Sequence, residues 1–220
     1  MHKYFIKTPW WLKKMFPSYV WNLPAKENEV YLTFDDGPDP EITPWVLDEL
    51  KKYNALATFF CIGKNVKQYP EVYQQILNEG HATGNHTQNH LNGWQVSTEQ
   101  YIRDVSEAAK YICTNLFRPP YGRIKNSQAA CIPQAMENNN AKIIMWDVLS
   151  ADFDPSFTPE QCLKNVLQST SPGSIIVLHD SSKAFKNLAY TLPRVMQHFS
   201  EKGCLFNKID LKKPGTSIKN

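Results

Sequence analysis

Strand-like and helix-like segments alternate along this chain, and that alternation limits the folds it can adopt more than any other feature. Apolar runs at 30–34, 57–62 and 174–179 are each followed by a segment whose apolar residues recur at helical spacing. Because a helix returns the chain to the start of the next strand, seven such units in order predict a parallel sheet. The sheet either closes into a barrel or stays open. No strand is followed by a glycine-rich phosphate-binding loop, which argues against an open nucleotide-binding fold.

Turn and cap residues place the individual elements. Three helix starts are marked by a cap residue with a proline or glutamine after it: Thr43–Pro44, Ser97–Gln100 and Thr158–Pro159. Pro133 is predicted to kink or end the helix at 127–138. The predicted strands are 30–34, 57–62, 81–85, 116–118, 142–148, 174–179 and 205–209. The other predicted helices are 43 onward, 71–79, 97 to about 113, 158 onward and 188–202.

The 220 residues fit one folded domain with two flanking segments. We divide the chain into an N-terminal basic and aromatic arm (1–28), a catalytic domain (29–210) and a polar tail (211–220). The formal net charge of only +3 argues against a nucleic-acid-binding protein. Five cysteines without a Cys-x-x-Cys pair suit reduced thiols in a cytoplasmic protein.

The arm leaves two interpretations open. Trp10, Trp11 and Phe16 lie among lysines, so the arm either packs on the domain or lies on a membrane surface. No secretory signal or membrane-spanning run is visible. We therefore expect a cytoplasmic or peripherally membrane-associated protein without an obligate protein partner, and action outside the cytoplasm stays open.

Polar clusters follow five of the predicted strands. They are Asp35-Asp36 after the first, His86 and His90 after the third, Arg118 after the fourth, Asp152 after the fifth and His179 at the end of the sixth. In parallel β/α folds, ligands and catalytic groups lie at the carboxyl ends of the strands. The sequence therefore predicts one polar site at this edge of the sheet.

The histidines and the paired acids together indicate a metal site. His86 and His90 are four residues apart, which puts both imidazoles on one side of a helical turn. Two histidines and one carboxylate form a common open metal site, and the second carboxylate could act as a general base. The alternatives are a surface histidine pair and an ordinary Asp-Asp-Gly-Pro turn. His81 is interpreted as structural.

Four segments resemble signatures of the polysaccharide deacetylase (NodB-homology) family, which are metal-dependent carbohydrate esterases. In chain order they are TFDDGP at 33–38, HTQNH at 86–90, RPPY at 118–121 and LHD at 178–180. The family's fourth signature usually ends in Asp-Trp and here reads Asp152-Phe153. The resemblance covers about residues 29–206. It implies an α/β fold, a distorted (β/α) barrel of about seven parallel strands.

The resemblance also implies roles for the matching residues. Asp36, His86 and His90 would hold a divalent metal ion, most often zinc. Asp35 would be the general base on water at that metal. Arg118 would pair with Asp35 and hold it ionised.

The remaining matches would complete the catalytic machinery. His179 would be the general acid, oriented by Asp152, and the backbone N–H of Tyr121 would help to stabilise the oxyanion. Four residues would contact substrate: Tyr121, Leu178, Phe153 and Pro119. Phe153 keeps a packing role but lacks the indole N–H of the usual tryptophan.

The expected activity is removal of acetyl groups from N-acetylated glucosamine saccharides, such as peptidoglycan or chitin-like chains. One alternative is a relative that acts on acetyl xylan, a cyclic imide or a small cytoplasmic amide. A second alternative is a non-catalytic glycan-binding module on the same scaffold. The presence of base, ligands and acid together argues against that second alternative.

Overall fold

Parallel strands form the centre of the molecule, and helices cover their outer side. The computed structural model describes residues 4–24 and 28–211. The strands are β1 (Glu29–Asp35), β2 (Thr58–Cys61), β3 (Ala82–Asn85), β4 (Leu116–Phe117), β5 (Lys142–Ile143), β6 (Val148–Leu149), β7 (Ile175–His179) and β8 (Leu205–Phe206). The helices are α1 (Trp10–Met15), α2 (Ile42–Lys51), α3 (Gly63–Gln68), α4 (Pro70–Asn78), α5 (Thr98–Ala109), α6 (Asn126–Ala135), α7 (Pro159–Ser169) and α8 (Phe185–Glu201). Most of the predicted polar tail lies outside the described residues.

The order in which the strands pair makes the sheet curl back on itself. The order is β5-β4-β3-β2-β1-β7-β6, and β8 pairs with the start of β1. β5 and β6 stand at opposite ends of this order, yet only residues 144–147 separate them in the chain. One stretch of chain thus pairs with β4 at its beginning and with β7 at its end. The predicted distorted (β/α) barrel is confirmed.

The predicted strand at 142–148 is wrong as a single element, because the structure breaks it into β5 and β6. The buried side chain of Arg118 lies at the break. Its Nε donates to the carbonyl of Ile144 at 3.2 Å, and its Nη2 donates to the carbonyl of Met145 at 3.0 Å. Because these carbonyls accept hydrogen bonds from the guanidinium, the regular strand stops after Ile143.

The start of α2 also differs from the prediction. Thr43 lies inside the helix, not at its N-cap. Its Oγ1 donates to Asp180 at 2.6 Å and accepts from the N–H of Asp39 at 2.8 Å. The N-cap position is Glu41, and the carboxylate of Asp39, two residues earlier, accepts from the N–H groups of Glu41 and Ile42.

The other cap predictions are confirmed. Ser97 accepts from the N–H of Gln100 at 3.1 Å, and Thr158 forms a reciprocal capping box with Gln161. Helix α6 continues for two residues past Pro133 and ends at Ala135. Helix α3 was not predicted, and α8 begins three residues before the predicted start at 188.

A continuous apolar core joins the sheet to the helices. Leu32, Phe34 and Phe59 on β1 and β2 are essentially unexposed and pack against α2 and α8. The rings of Phe34 and Phe59 stack with centroids 5.0 Å apart. Burial of one such side chain stabilises the fold by about 1.5–3 kcal/mol. All five cysteines are free thiols.

The arm packs against the break between β5 and β6. The N–H of Val20 donates to Ile143 at 2.9 Å, and the N–H of Met145 donates to Val20 at 2.7 Å. Nearer the N-terminus, the N–H of Thr8 donates to the carbonyl of Asp147 at 2.9 Å. The arm therefore supplies backbone hydrogen bonds where the sheet is interrupted. In the part of the chain that the structure describes, no helix is long and apolar enough to cross a bilayer.

Candidate active site

The carboxyl ends of the parallel strands bring the predicted polar residues to one edge of the barrel. β1 ends at Asp35 and β7 ends at His179, and these two residues are paired in register. Register partners on adjacent strands lie about 4.8 Å apart along the hydrogen-bonding direction. The other predicted residues at this edge are Asp36, His86, His90, Arg118, Tyr121 and Asp152.

The turn after β1 explains why glycine follows the paired acids. Asp36 adopts a left-handed backbone conformation with φ 79°. A Cβ atom on Gly37 would lie 2.1 Å from Oδ2 of Asp180, so no larger residue fits. Instead the N–H of Gly37 donates to Oδ1 of Asp180 at 3.1 Å. Asp180, to which the sequence analysis gave no role, thus fixes the turn that presents Asp35 and Asp36.

Asp35 forms a buried ion pair with Arg118. The Nη1 of Arg118 lies 2.6 Å from Oδ1 of Asp35 and also donates to Thr33 at 2.7 Å. The guanidinium is unexposed and lies 3.9 Å from the centroid of the Phe60 ring. Burial lowers the pKa of Arg118, and the charge of Asp35 opposes that shift. Four hydrogen bonds from the guanidinium, to Asp35, Thr33 and two backbone carbonyls, compensate for the burial of its charge.

Asp36, His86 and His90 form a cluster that could hold a metal ion. Their ligand atoms all lie within 4.8 Å of one another. Oδ1 of Asp36 is 3.6 Å from Nε2 of His86 and 3.1 Å from Nε2 of His90. This oxygen is buried and makes no well-aligned hydrogen bond, so it lacks the partner that a cation would provide.

The outer nitrogen of each histidine is already engaged. Nδ1 of His86 lies 2.8 Å from the carbonyl of Arg118, and Nδ1 of His90 lies 3.1 Å from the hydroxyl of Tyr121. Such contacts orient the ring and direct Nε2 toward a metal. Burial lowers the pKa of His86 to about 4, which favours the neutral ligand form. The residues present therefore fit a divalent ion.

The two histidines meet on a loop, contrary to the helical turn considered from their spacing. Thr87 and His90 have φ values of 65° and 56°. Asp104 on α5 holds the loop, because its carboxylate accepts from the N–H groups of Gln88 and Asn89 at 3.0 Å each. This role of Asp104 was not predicted. The feature of the sequence that could have indicated it is an acid on the apolar face of α5.

His179 and Asp152 form a second charged pair. Nδ1 of His179 lies 2.7 Å from Oδ1 of Asp152, and the N–H of His179 donates to Oδ2 at 2.8 Å. Ser150 also donates to Asp152, at 2.9 Å. Burial alone would lower the pKa of His179, but the charge and hydrogen bond of Asp152 outweigh it and raise the pKa to about 9. At neutral pH both ring nitrogens of His179 therefore carry a proton, and the side chain is positively charged.

The predicted substrate-contacting residues differ in exposure. Tyr121 is 60% exposed, has φ 60° and lies with its ring 4.6 Å from that of His90. Phe153 is half-buried, and its ring centroid is 4.9 Å from that of His179. Leu178 and Pro119 are buried, and their contact with substrate stays a prediction.

Comparisons with known proteins agree with this geometry. A family model described as polysaccharide deacetylase matches residues 22–136. A peptidoglycan-N-acetylglucosamine deacetylase of Bacillus cereus is 34% identical over 203 residues, which cover 89% of this chain and 71% of the relative. A chitooligosaccharide deacetylase of Azorhizobium caulinodans is 36% identical over 161 residues, which cover 70% of this chain and 74% of the relative. A crystal structure of a peptidoglycan N-acetylglucosamine deacetylase matches with TM-score 0.80 and 33% identity, covering 92% of this chain and 95% of the other.

Proposed function

The chain belongs to the polysaccharide deacetylase family, and we propose that it hydrolyses the N-acetyl groups of glucosamine units in a peptidoglycan- or chitin-like saccharide. One observation carries this proposal. Asp35 and His179 are register partners on β1 and β7, and Arg118 and Asp152 give them opposite charges. An anionic base beside a cationic acid is the arrangement that hydrolysis of an amide needs.

Asp35 is proposed as the general base. Oδ1 is taken by Arg118, while Oδ2 lies 3.9 Å from Nε2 of His86 and so faces the metal cluster. The carboxylate accepts a proton from water as the water oxygen bonds to the acetyl carbon. The backbone N–H of Tyr121 is proposed to stabilise the charge that develops on the carbonyl oxygen.

His179 is proposed as the general acid. Its Nδ1 is held by Asp152, so the proton available for transfer is on Nε2. Transfer of that proton to the amide nitrogen lets the C–N bond break. Acetic acid, which ionises to acetate, and a free amine are then released. Asp35 loses the proton that it took from water and His179 regains one, which restores both groups.

We infer that Asp36, His86 and His90 hold zinc, because zinc in catalytic sites accepts two imidazole nitrogens and one carboxylate. Such an ion, when bound, supplies a Lewis acid for the acetyl carbonyl and lowers the pKa of a water molecule in the site.

Acetate release tests the proposed function directly. We expect release from N-acetylglucosamine oligosaccharides, inhibition by a chelator and recovery on adding zinc. Asp35→Asn should lower the rate by about 10²–10⁴-fold. Hydrolysis of acetyl xylan or a cyclic imide alone would favour the corresponding relative. Saccharide binding without hydrolysis of any of these substrates would favour a glycan-binding module.

We also propose that the arm contacts an anionic membrane surface. Trp10, Trp11 and Met15 on α1 are 69%, 45% and 63% exposed, and Phe5 is 52% exposed. Exposed aromatic residues next to a lysine such as Lys14 suit the membrane–water interface. The protein should sediment with anionic vesicles and not with neutral ones, and the Trp10→Ala/Trp11→Ala double variant should lose this binding. Equal sedimentation of the double variant would contradict the proposal.

A further inference from the structure

Trp94 is a large aromatic residue that the fold holds rigidly yet leaves exposed. Its side chain is 60% exposed. Its backbone N–H donates to Oδ1 of Asn92 at 3.1 Å, and its indole N–H donates to the carbonyl of Ile124 at 3.3 Å. The guanidinium of Arg123 lies 5.2 Å from the ring centroid. The indole therefore has its polar group satisfied and still presents apolar surface to water.

The turn that carries Trp94 is fixed to the segment that follows the RPPY signature. A Cβ on Gly93 would lie 2.5 Å from the carbonyl of Arg123, so the two segments touch there. Gln128 donates to the carbonyl of Gly93 at 2.8 Å, and Lys125 donates to the carbonyl of Val96 at 2.7 Å. Because the turn is already ordered, binding a ligand on Trp94 costs little additional conformational entropy.

Trp94 continues the exposed rim of the candidate active site. Tyr121 lies against His90, and Arg123, two residues further on, lies against Trp94. Two residues span at most about 7 Å of backbone. A ligand unit on Trp94 can therefore belong to the same molecule as a unit that reacts beside Tyr121.

We propose that Trp94 and Arg123 form a binding subsite for a second N-acetylglucosamine unit of an extended saccharide, a proposal that rests on the proposed function. The C–H face of a pyranose ring is apolar and matches the indole face, while the ring hydroxyls and the acetamide carbonyl can accept from the guanidinium. The subsite makes the enzyme prefer chains over short fragments. It predicts that chain length, and not only the acetyl group, determines the rate.

The test compares Trp94→Ala with Leu205→Ala, a control that removes another exposed apolar residue, on β8 beside the start of β1 and so away from the candidate active site. Substrates are N-acetylglucosamine and its oligosaccharides of increasing length. In the unaltered protein and in Leu205→Ala, kcat/KM should rise with chain length. Trp94→Ala should lose this rise, by about tenfold on the longest chain, with the rate on single N-acetylglucosamine unchanged. Trp94→Phe should keep most of the rise in kcat/KM with chain length.

Binding is measured separately from turnover, by calorimetric titration of the longest oligosaccharide into Asp35→Asn with and without Trp94→Ala. We expect about tenfold weaker binding when Trp94 is absent. Equal affinities, or an equal loss on substrates of every length, would overturn the subsite. If the unaltered protein released no acetate from any saccharide, the proposed function would fail, whereas the binding difference would still identify the subsite.

Discussion

Asp35 and His179 are register partners on neighbouring strands, but they contact partners of opposite charge. The guanidinium of Arg118 pairs with Asp35, and the carboxylate of Asp152 holds His179 as an imidazolium. Each partner is buried and hydrogen-bonded to its residue, so its charge acts with little screening by water. The proposed roles of Asp35 as base and His179 as acid thus agree with the charge of the partner that each residue contacts.

Removal of the acid should affect amides more than activated esters. An amine leaves poorly unless it is protonated, whereas an aryl oxide leaves without a proton. His179→Ala should therefore lose about 10²–10⁴-fold on an N-acetylated saccharide and much less on an aryl acetate. Steady-state rates on both substrates check this. Similar losses on the two substrates, or a lower metal content in the variant, would show that His179 is not the acid.

The pH profile should report the effect of Asp152 on His179. Asp152 raises the pKa of His179 to about 9, so the acid stays protonated through neutral pH and is lost as the pH rises through that value. In Asp152→Asn the negative charge is gone and the pKa falls, so the alkaline limb of kcat should move to lower pH. An alkaline limb at the same pH in both proteins would contradict the pairing. Ser150→Ala, which leaves the charge in place, is the control.

The sequence predicted the proposed reacting groups and their charged partners Arg118 and Asp152, but not the acids that fix the loops carrying them. The paired acids and the histidines were predicted because their chemistry requires those residue types. Asp180 and Asp104 were missed, since an acid that bonds to backbone N–H groups leaves no spacing pattern. Their partners lie 143 and about 15 residues away in the chain, and only the fold brings them together.

The arm and the split strand form one unit at the level of elements. The sequence predicted a continuous strand at 142–148 because five of its seven residues are apolar. The strand breaks because the carbonyls of Ile144 and Met145 accept hydrogen bonds from Arg118, a residue from another part of the chain. Pairing of Val20 with the chain at Ile143 and Met145 supplies hydrogen bonds at that break.

Asp147 should anchor the arm through charge. Its carboxylate, almost unexposed, accepts from Lys13 at 2.6 Å and also from Lys7 and Ser174. Asp147→Asn should lower the free energy of unfolding by about 1–2 kcal/mol at pH 7, a small value because Lys7 is 43% exposed. Urea unfolding measures this change. Glu99→Gln, which removes an exposed ion pair with Arg103, should change little.

The same anchor should depend on pH. Burial alone would raise the pKa of Asp147, but the hydrogen bonds from Lys13 and Lys7 lower it below its ordinary value of 3.8. The stabilisation is therefore complete above that value and is lost as the pH falls through the lower, folded value. The difference between the natural protein and Asp147→Asn should shrink below about pH 4. A difference that persists unchanged into acid would exclude the ion pair as its cause.

The whole molecule is organised so that residues from distant parts of the chain meet at one edge of the barrel. The alternation of strands and helices predicted this edge correctly, since parallel strands all end on the same side. The closure of the sheet through residues 144–147 was not predictable from alternation. One stretch of chain pairs at its beginning with the strand before it, β4, and at its end with the strand after it, β7, and alternation alone does not show that these two pairings are offset along the stretch.

A bound ion should stabilise the entire fold, because only the folded chain assembles Asp36, His86 and His90. Zinc at 100 times its dissociation constant adds about 2.7 kcal/mol, or roughly 5–10 °C in Tm at this size. Scanning calorimetry should show this shift in the natural protein, in Asp35→Asn and in the control His198→Ala. Asp36→Asn should lose most of it. Equal shifts in Asp35→Asn and Asp36→Asn would undo the assignment of base and ligand.

The arm has a further consequence for how the chain is made. Thr8 pairs with Asp147, and Val20 pairs with Ile143 and Met145, so the arm binds to a segment that is synthesised more than 120 residues after it. At about 5–20 residues per second, the arm waits on the order of ten seconds before its partners exist. During that interval Trp21 and Phe16, which the finished fold covers at least in part, remain uncovered. The nascent chain therefore offers chaperones an apolar segment during that interval, and the arm can dock only after residues 143–147 have been made.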